Sequence, residues 1–478
     1  MIYRIQIDRD TTISNYSNSN YGTFANSGAS GNTGASQVLD VWGFYDITQN
    51  LKFIARSLVH ADLTSLCADI NAGVVPNPTT TPSMTANLVL FNINHGNTQA
   101  YGFNINVLPL TTQWQEGIGT KIDTFTDVGY ANFLQPSATG SWTISGGDVI
   151  IDSNSSVVYF NTGYENLTAN LKSLLVSWLN GTSANYGCMI KMDNVAESIT
   201  GSNSSNIQYY RKAFHSRNTN YPTKAPYIEL LYPGEIYDYR AIVKLGTTSN
   251  LFFYNFVNGV LTDIDGVTTA FPGYVTLSGS TAVPDSTLSS FTGISTLTNI
   301  SASRFKQGVY QVNFTMPLTT SQFQYFSDIW TVTSSSSAVA PTSMQTFNIT
   351  LPIQANDNYQ ANRLTLRLRN FSQNLDSPNI ISQKIFIKQD AINLNPLTAS
   401  VTSIQSAIVE SGFYKILVNS TNETYIDWQP LEFDKNGNFF TINTNNYYRN
   451  VPYRIVFKLN VRGQTFLIDN ITNVFQVN

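Results

Sequence analysis

The chain has 478 residues, a net charge of −4 at pH 7, 42% hydrophobic residues and only 12% charged residues. That length favours about three domains over one core. Twenty-six Lys and Arg, thinly spread, leave no basic patch for nucleic acid, and no run approaches the roughly 18 apolar residues of a membrane-spanning helix. Charge is about half the usual share of a soluble domain. Between Leu245 and Ser303, and again between Gln307 and Asn362, there is no Lys or Arg. Polar uncharged residues alternating with aromatic and β-branched ones suit half-buried antiparallel strands.

The opening, MIYRIQIDRDTTI, alternates as a strand does and lacks the apolar core and cleavage site of a signal peptide. It predicts folding where the chain is made, in a cytoplasm. Asn15 to Ser36 reads as a Gly/Ser/Asn loop. Strands are predicted over Gln37–Phe44, Phe53–Val59, Ala86–Ile93 and Gln99–Leu108, with Val74–Ser83 a loop and Asn94 to Asn97 a turn. In residues 164–181, Leu167, Leu171, Leu174, Leu175, Trp178 and Leu179 fall at helical spacing and Asn180-Gly181 supplies a stop, predicting one capping helix. Cys188–Met192 is an apolar strand. Tyr209–Phe214 and Tyr227–Leu231 are closing strands around His215, Arg217 and a proline-punctuated turn. Tyr239–Leu245 and Asn362–Arg369 read as the openings of two further β units.

Within those later units, Gln307–Phe314 resembles Ser411–Val418, at a period of roughly 100 residues, the size of an immunoglobulin-like sandwich. Tyr310 and Tyr414 stand where such sandwiches carry a tyrosine corner. Trp330 and Trp428 follow at similar distances. Val332–Ser343 reads as a loop within the middle domain.

Signals for chemistry are sparse. His60, His95 and His215 are far apart, without metal-ligand spacing, and Gly-x-Ser-x-Gly is absent. Asp8/Asp10 and Asp123/Asp127 are the closest carboxylate pairs, read as solvated strand-face acids. Asp8, Asp10, Asp148 and Asp152 are candidate oxygen donors for a structural calcium. Trp42, Trp114, Trp142, Tyr16 and Tyr21 are candidates for a sugar-stacking platform, against a prevailing expectation that aromatics are core. Cys67 and Cys188 read as small buried hydrophobes, with a single bridge as the alternative. No catalytic, cofactor-binding or metal-ligating residue is assigned, and no cofactor is expected.

Arg9–Ile13, Asn20-Tyr21-Gly22, Gln37–Val41, Lys52–Leu58, Gly163–Gly187 and Lys212–Tyr232 occur in the order of a DNRLRE-type module, a jelly-roll sandwich similar to carbohydrate-binding modules. The first 235 residues resemble that module. They depart from it in the longer Ser65–Thr85 segment and in lacking an aromatic motif onto which sugar contacts could be carried. The resemblance implies an all-β chain: a jelly-roll domain over 1–235 with one capping helix, then immunoglobulin-like sandwiches over 236–355 and 356–478. Such a series resembles tailed-bacteriophage virion proteins of the neck, collar, tail-fibre, baseplate or head-decoration type. That implies a non-enzymatic structural role, with other virion proteins as partners, a symmetric homo-oligomer within a particle assembled in the host cytoplasm, and a host-surface glycan as a further candidate ligand. A bacterial cell-surface carbohydrate-binding adhesin is the alternative. A glycan depolymerase would need a carboxylate pair that the sequence does not supply.

Overall fold

The computed structural model describes residues 1–16, 29–46, 51–94, 100–120, 129–198, 209–243, 246–267, 270–280, 296–315, 325–333, 343–348, 363–390, 408–461 and 463–478. Strand takes 51% and helix 9%, so the chain is all-β. It divides into two compact units. One comprises 2–71 with 75–233, the other 234–478 with residues 1 and 72–74.

The first unit contains β1 (Ile2–Gln6), β2 (Arg9–Ser14), β3 (Val38–Asp46), β4 (Leu51–His60), α1 (Thr64–Asn71), β5 (Thr85–Leu90), β6 (Phe103–Pro109), β7 (Ser156–Phe160), β8 (Leu167–Asn170), α2 (Lys172–Leu179), β9 (Cys188–Met192), α3 (Asn194–Glu197), β10 (Tyr209–His215) and β11 (Tyr227–Leu231). One sheet runs β1-β11-β5-β8. The other runs β10-β3-β4-β9-β6-β7, with β2 pairing the second half of β4. Every pairing is antiparallel. Two-residue alternation sets the faces: Ala86, Leu88 and Leu90 of β5 are buried while Thr85 is exposed. All five residues of β9 are buried. The long excursion between β6 and β7 explains this, because its Trp114 and Trp142 cover Ile13, Leu58 and Met189.

The expected helix is shorter than its apolar spacing suggests. Leu167 and Ala169 belong to β8 and pair with Leu90 and Leu88, and only Lys172–Leu179 is helical. Leu-Thr-Ala-Asn also alternates with period two, and the free edge of β5 offers backbone partners that a first helical turn would lack. Three α-helices, not one, occur among the described residues. Asp62 accepts from Thr64 N–H at 2.9 Å just before α1, and Asp193 caps the four-residue α3 through Ala196 N–H at 2.8 Å.

The second unit contains β12 (Thr248–Tyr254), β13 (Phe256–Val257), β14 (Val260–Leu261), β15 (Gly273–Ser280), β16 (Thr296–Ile300), β17 (Ala302–Lys306), β18 (Val309–Thr315), β19 (Tyr325–Val332), β20 (Ser343–Asn348), β21 (Arg363–Leu368), β22 (Asn374–Leu375), β23 (Ile380–Asp390), β24 (Ser411–Val418), β25 (Thr424–Pro430), β26 (Glu432–Asp434), β27 (Gly437–Asn443), β28 (Tyr453–Val461) and β29 (Gln464–Val477). Sheets β12-β18-β17 and β16-β15-β19-β20 enclose Leu251, Val275, Leu277, Val312, Phe326 and Trp330. Sheets β21-β23-β27-β26 and β22-β29-β28-β24-β25 meet through ring pairs such as Tyr414–Phe440, 4.7 Å between centroids. Segment 236–243 ties the two sheet pairs together. Ile236 packs with Phe252, Val309 and Phe439, and its N–H donates to Glu432 at 3.0 Å.

Among the described residues, Tyr239–Val243 does not open a strand. Tyr239–Ala241 is a 3-10 turn because the Asp238 side chain accepts from Arg240 N–H, and the first strand begins at Thr248. The two repeat motifs both become strands, β18 and β24, and the Tyr310 hydroxyl accepts from Ile264 N–H at 2.7 Å, tying a loop to the strand. The tryptophans are not equivalent. Trp428 lies on β25, the neighbour of β24, whereas Trp330 lies on β19 in a different sheet from β18. The Ser-rich stretch lies almost wholly outside the described residues.

Candidate functional site

The closing strands reach back to the start of the chain through an ionic clasp. β2 carries Asp10, the excursion after β6 carries Glu116, and the turn after β10 carries Arg217. Glu116 accepts both Arg217 Nε and Nη2 at 2.6 Å, a bidentate fork, and also Asp10 N–H at 2.8 Å. Arg217 N–H donates to Asp10 Oδ2 at 2.7 Å. Burial pushes the Asp10 carboxyl up to about 7 against the pull of that N–H, and the Glu116 charge adds to the rise. Asn32 completes the join. Its amide donates to the carbonyls of Glu116 and Ala131 and accepts from Gly34 and Gly119 N–H. These bonds join β2, the excursion after β6 and the turn after β10 within one unit, so the cluster fastens loops.

The remaining sequence candidates disperse. Asp8 is exposed and pairs with His60 Nδ1 at 2.5 Å. Burial pushes its carboxyl up, but the His60 hydrogen bond and charge outweigh this and hold it below the usual carboxylate range. Asp8 and Asp10 therefore share no solvated face, because Asp10 is buried. Asp123, Asp127, His95 and Tyr21 lie outside the described residues. Asp148 accepts from Thr143 and Ile144 N–H, both at 2.9 Å, and Asp152 from Asn154 N–H at 2.8 Å. Each candidate calcium donor is thus engaged separately. Among the described residues no group of three or more His, Cys, Asp or Glu is placed to hold a metal ion. His215 Nδ1 meets Thr219 Oγ1 at 2.8 Å and its ring meets the edge of Tyr221, while burial lowers its pKa.

The three tryptophans among the sugar-platform candidates are core. Trp114 and Trp142 are buried and donate their indole N–H groups to Tyr186 O and Asn132 O at 2.9 and 2.8 Å. Trp42 packs with Phe44, Phe53 and the half-buried Tyr16. Each is needed to cover a sheet face. Cys67 and Cys188 are not bridged. Cys67 is exposed, contrary to the expectation of a buried hydrophobe, and burial pushes the Cys188 thiol up to about 12.

Apolar residues that the sequence reading missed are exposed along one margin of the seven-stranded sheet. β7 is its last strand, and Val157 and Tyr159 alternate on its outer face at 64% and 60% exposure. Ile150 and Ile151 continue the margin, with Ile150 N–H donating to Pro109 O at the end of β6. Tyr101 precedes the other end of β6. Val157 and Tyr159 on this edge strand, with Ile150, Ile151 and Tyr101 beside it, form an exposed apolar surface of the kind isolated proteins usually blunt with charge. Period-two alternation in Ser156–Phe160 was the available signal.

No family model matches the chain, and no curated protein matches it. Solved structures with some likeness include trypsin-activated alpha-2-macroglobulin from Escherichia coli, at 9% identity and a TM-score of 0.17, where the match covers 82% of this chain and 22% of that one. A DUF4785 family protein from Legionella pneumophila matches at 10% identity and a TM-score of 0.16, over 91% of this chain and 88% of that one. A point mutant of Salmonella alpha-2-macroglobulin matches at 10% identity and a TM-score of 0.17, over 92% and 25%. This chain thus spans about a quarter or less of the macroglobulins it matches, and likenesses at these scores carry no argument about fold or function.

Proposed function

We propose that this protein is a non-enzymatic structural component of a bacteriophage virion, acting through contacts between copies and with other virion proteins. The observation that carries the reading is the exposed apolar margin of β7, with Val157, Tyr159, Ile150, Ile151 and Tyr101. On an isolated monomer this margin is an invitation to edge pairing, and in a symmetric assembly it is an interface. Low charge supports the same reading, because it limits repulsion between packed copies. We read the second unit as two immunoglobulin-like sandwiches, 236–355 and 356–478, that carry this module within the particle.

Sedimentation of the full chain over a concentration series tests the assembly. The native protein should associate, and Val157→Lys with Tyr159→Lys should leave it monomeric and folded. A native chain that stays monomeric throughout would remove the basis of the proposal. The class is tested by the neighbouring reading frames: portal, sheath or fibre genes support it, and a sorting or polysaccharide locus overturns it. The exposed rings of Tyr101 and Tyr159 favour one second reading, a carbohydrate-binding adhesin, which a glycan array on the same double variant would separate from assembly.

A further inference from the structure

Lys212 is fully buried, and no carboxylate lies within ion-pair distance of it among the described residues. Its Nζ lies 2.5 Å from Asn92 Oδ1 and 2.6 Å from Gly163 O, with the rings of Phe160 and Phe214 at 5.0 and 5.4 Å. A lysine ammonium held only by amide oxygens and ring faces is a costly group to bury. Asn92 is held on its other sides. Its N–H donates to Asn166 Oδ1 at 2.9 Å, and its amide nitrogen donates to Asn94 Oδ1 at 2.9 Å on the exposed side. The lysine therefore meets the carbonyl end of the amide, and the nitrogen end points toward water.

We propose that Lys212 and Asn92 form an intramolecular isopeptide bond that covalently joins the two sheets of the first unit.

Lys212 lies on β10 of the seven-stranded sheet, and Asn92 follows β5 of the four-stranded sheet and bridges to Phe214. In the reaction the neutral Lys212 Nζ attacks Asn92 Cγ, the Nζ–Cγ bond forms, and the Cγ–Nδ2 bond breaks. Nδ2 leaves as ammonia, carrying away a hydrogen that Nζ gives up. Amine plus carboxamide become a secondary amide plus ammonia, with no oxidant or reductant. Burial lowers the Lys212 pKa to about 8, which raises the fraction of neutral amine near neutral pH. Glu165 is the carboxylate whose charge acts on Lys212, and its Oε2 is buried with no hydrogen-bond partner. It stands beyond ion-pair distance, and its own carboxyl is held low, against burial, by backbone hydrogen bonds such as that from Thr162, so it acts on the lysine by charge alone. Lys191 provides a contrast within the same unit. Its Nζ is 3.2 Å from Asn194 Oδ1 but is also paired with Glu197 Oε2 at 3.0 Å, a carboxylate contact that Lys212 lacks.

Intact-mass spectrometry of the denatured full chain tests the bond. The native protein should weigh one ammonia less than its sequence, and a protease digest should yield one joined peptide containing residues 92 and 212. Lys212→Arg and Asn92→Ala should each restore the full mass. A native chain of full sequence mass, with residues 92 and 212 in separate unmodified peptides, overturns the proposal. So does an ammonia loss that persists in Lys212→Arg, which would mark cyclisation of an asparagine instead.

Discussion

Replacing Arg240 with Met is the sharpest test of how a weakly charged chain uses the charge it has. Arg240 lies beside two carboxylates, Asp238 and Asp328, and the side chains of all three are between 0% and 4% exposed. Its Nη1 donates to Asp238 and its Nη2 to Asp328 at 2.5 Å, while Trp330 Nε1 also donates to Asp328 at 2.7 Å. In Arg240→Met the stem is replaced at similar volume, but two buried carboxylates lose their counter-charge. Breaking a buried pair by removing one partner costs about 3–5 kcal/mol. Burial already pushes Asp238 up to about 6 even against the Arg240 charge, and without that charge it rises further. A carboxyl raised on folding contributes stability that is present below its ordinary value and lost as pH rises through the folded value. The deficit should therefore be largest above about pH 7 and close toward about pH 4. Urea unfolding of the full chain, followed by tryptophan fluorescence, measures it, with Trp330 reporting from beside the cluster. Adding Asp238→Asn and Asp328→Asn should recover most of the loss. A deficit under about 1 kcal/mol, or one independent of pH, would refute the reasoning.

Asp10→Asn should behave in the opposite sense. With its folded carboxyl raised from 3.8 to about 7, the native chain loses stability relative to the variant as pH rises from about 4 to 8, by at most about 4 kcal/mol. Parallel pH profiles of melting temperature for the two would contradict the buried-acid account. Tyr310→Phe removes the acceptor for Ile264 N–H and should cost about 1–3 kcal/mol. Hydrogen exchange at Ile264 should accelerate if that bond holds the loop, and unchanged protection would dismiss it as a tether.

Much of the first unit was legible because one-sided burial writes itself as alternation. Residues 37–44, 53–59, 188–192, 209–214 and 227–231 all lie wholly or largely in strands. The failures share a cause. Leu167–Asn170 fits both periods, and only the open edge of β5 decides it as strand. Tyr239–Ala241 has strand-like residues, but Asp238 caps it into a turn that serves a buried ion cluster. The tryptophans considered as a sugar platform were read singly. Burial of Trp114 and Trp142 depends on a long excursion folding over β2, β4 and β9, which no local window contains. Lys212 falls within the predicted strand Tyr209–Phe214, but its contact with Asn92 spans 120 positions.

The scarcity of charge has a structural counterpart. A loop-rich β protein must satisfy many backbone groups outside its ladders, and here amide side chains do that work where ions are few. Asn32 satisfies four backbone groups across segments far apart in sequence. Asn438, fully buried, both accepts from Val409 N–H and donates to Val409 O at 2.8 Å. Asn132 accepts from Leu134 and Gln135 N–H at 2.9 and 3.0 Å. Such contacts carry no net charge, so they neither titrate between acid and neutral pH nor weaken in salt as surface ion pairs do. The ions that remain are concentrated where one group must hold several partners at once, as Glu116 and Arg240 do. Loops fastened in this way leave a surface poor in like-charge repulsion, which suits the assembly proposed for the β7 margin.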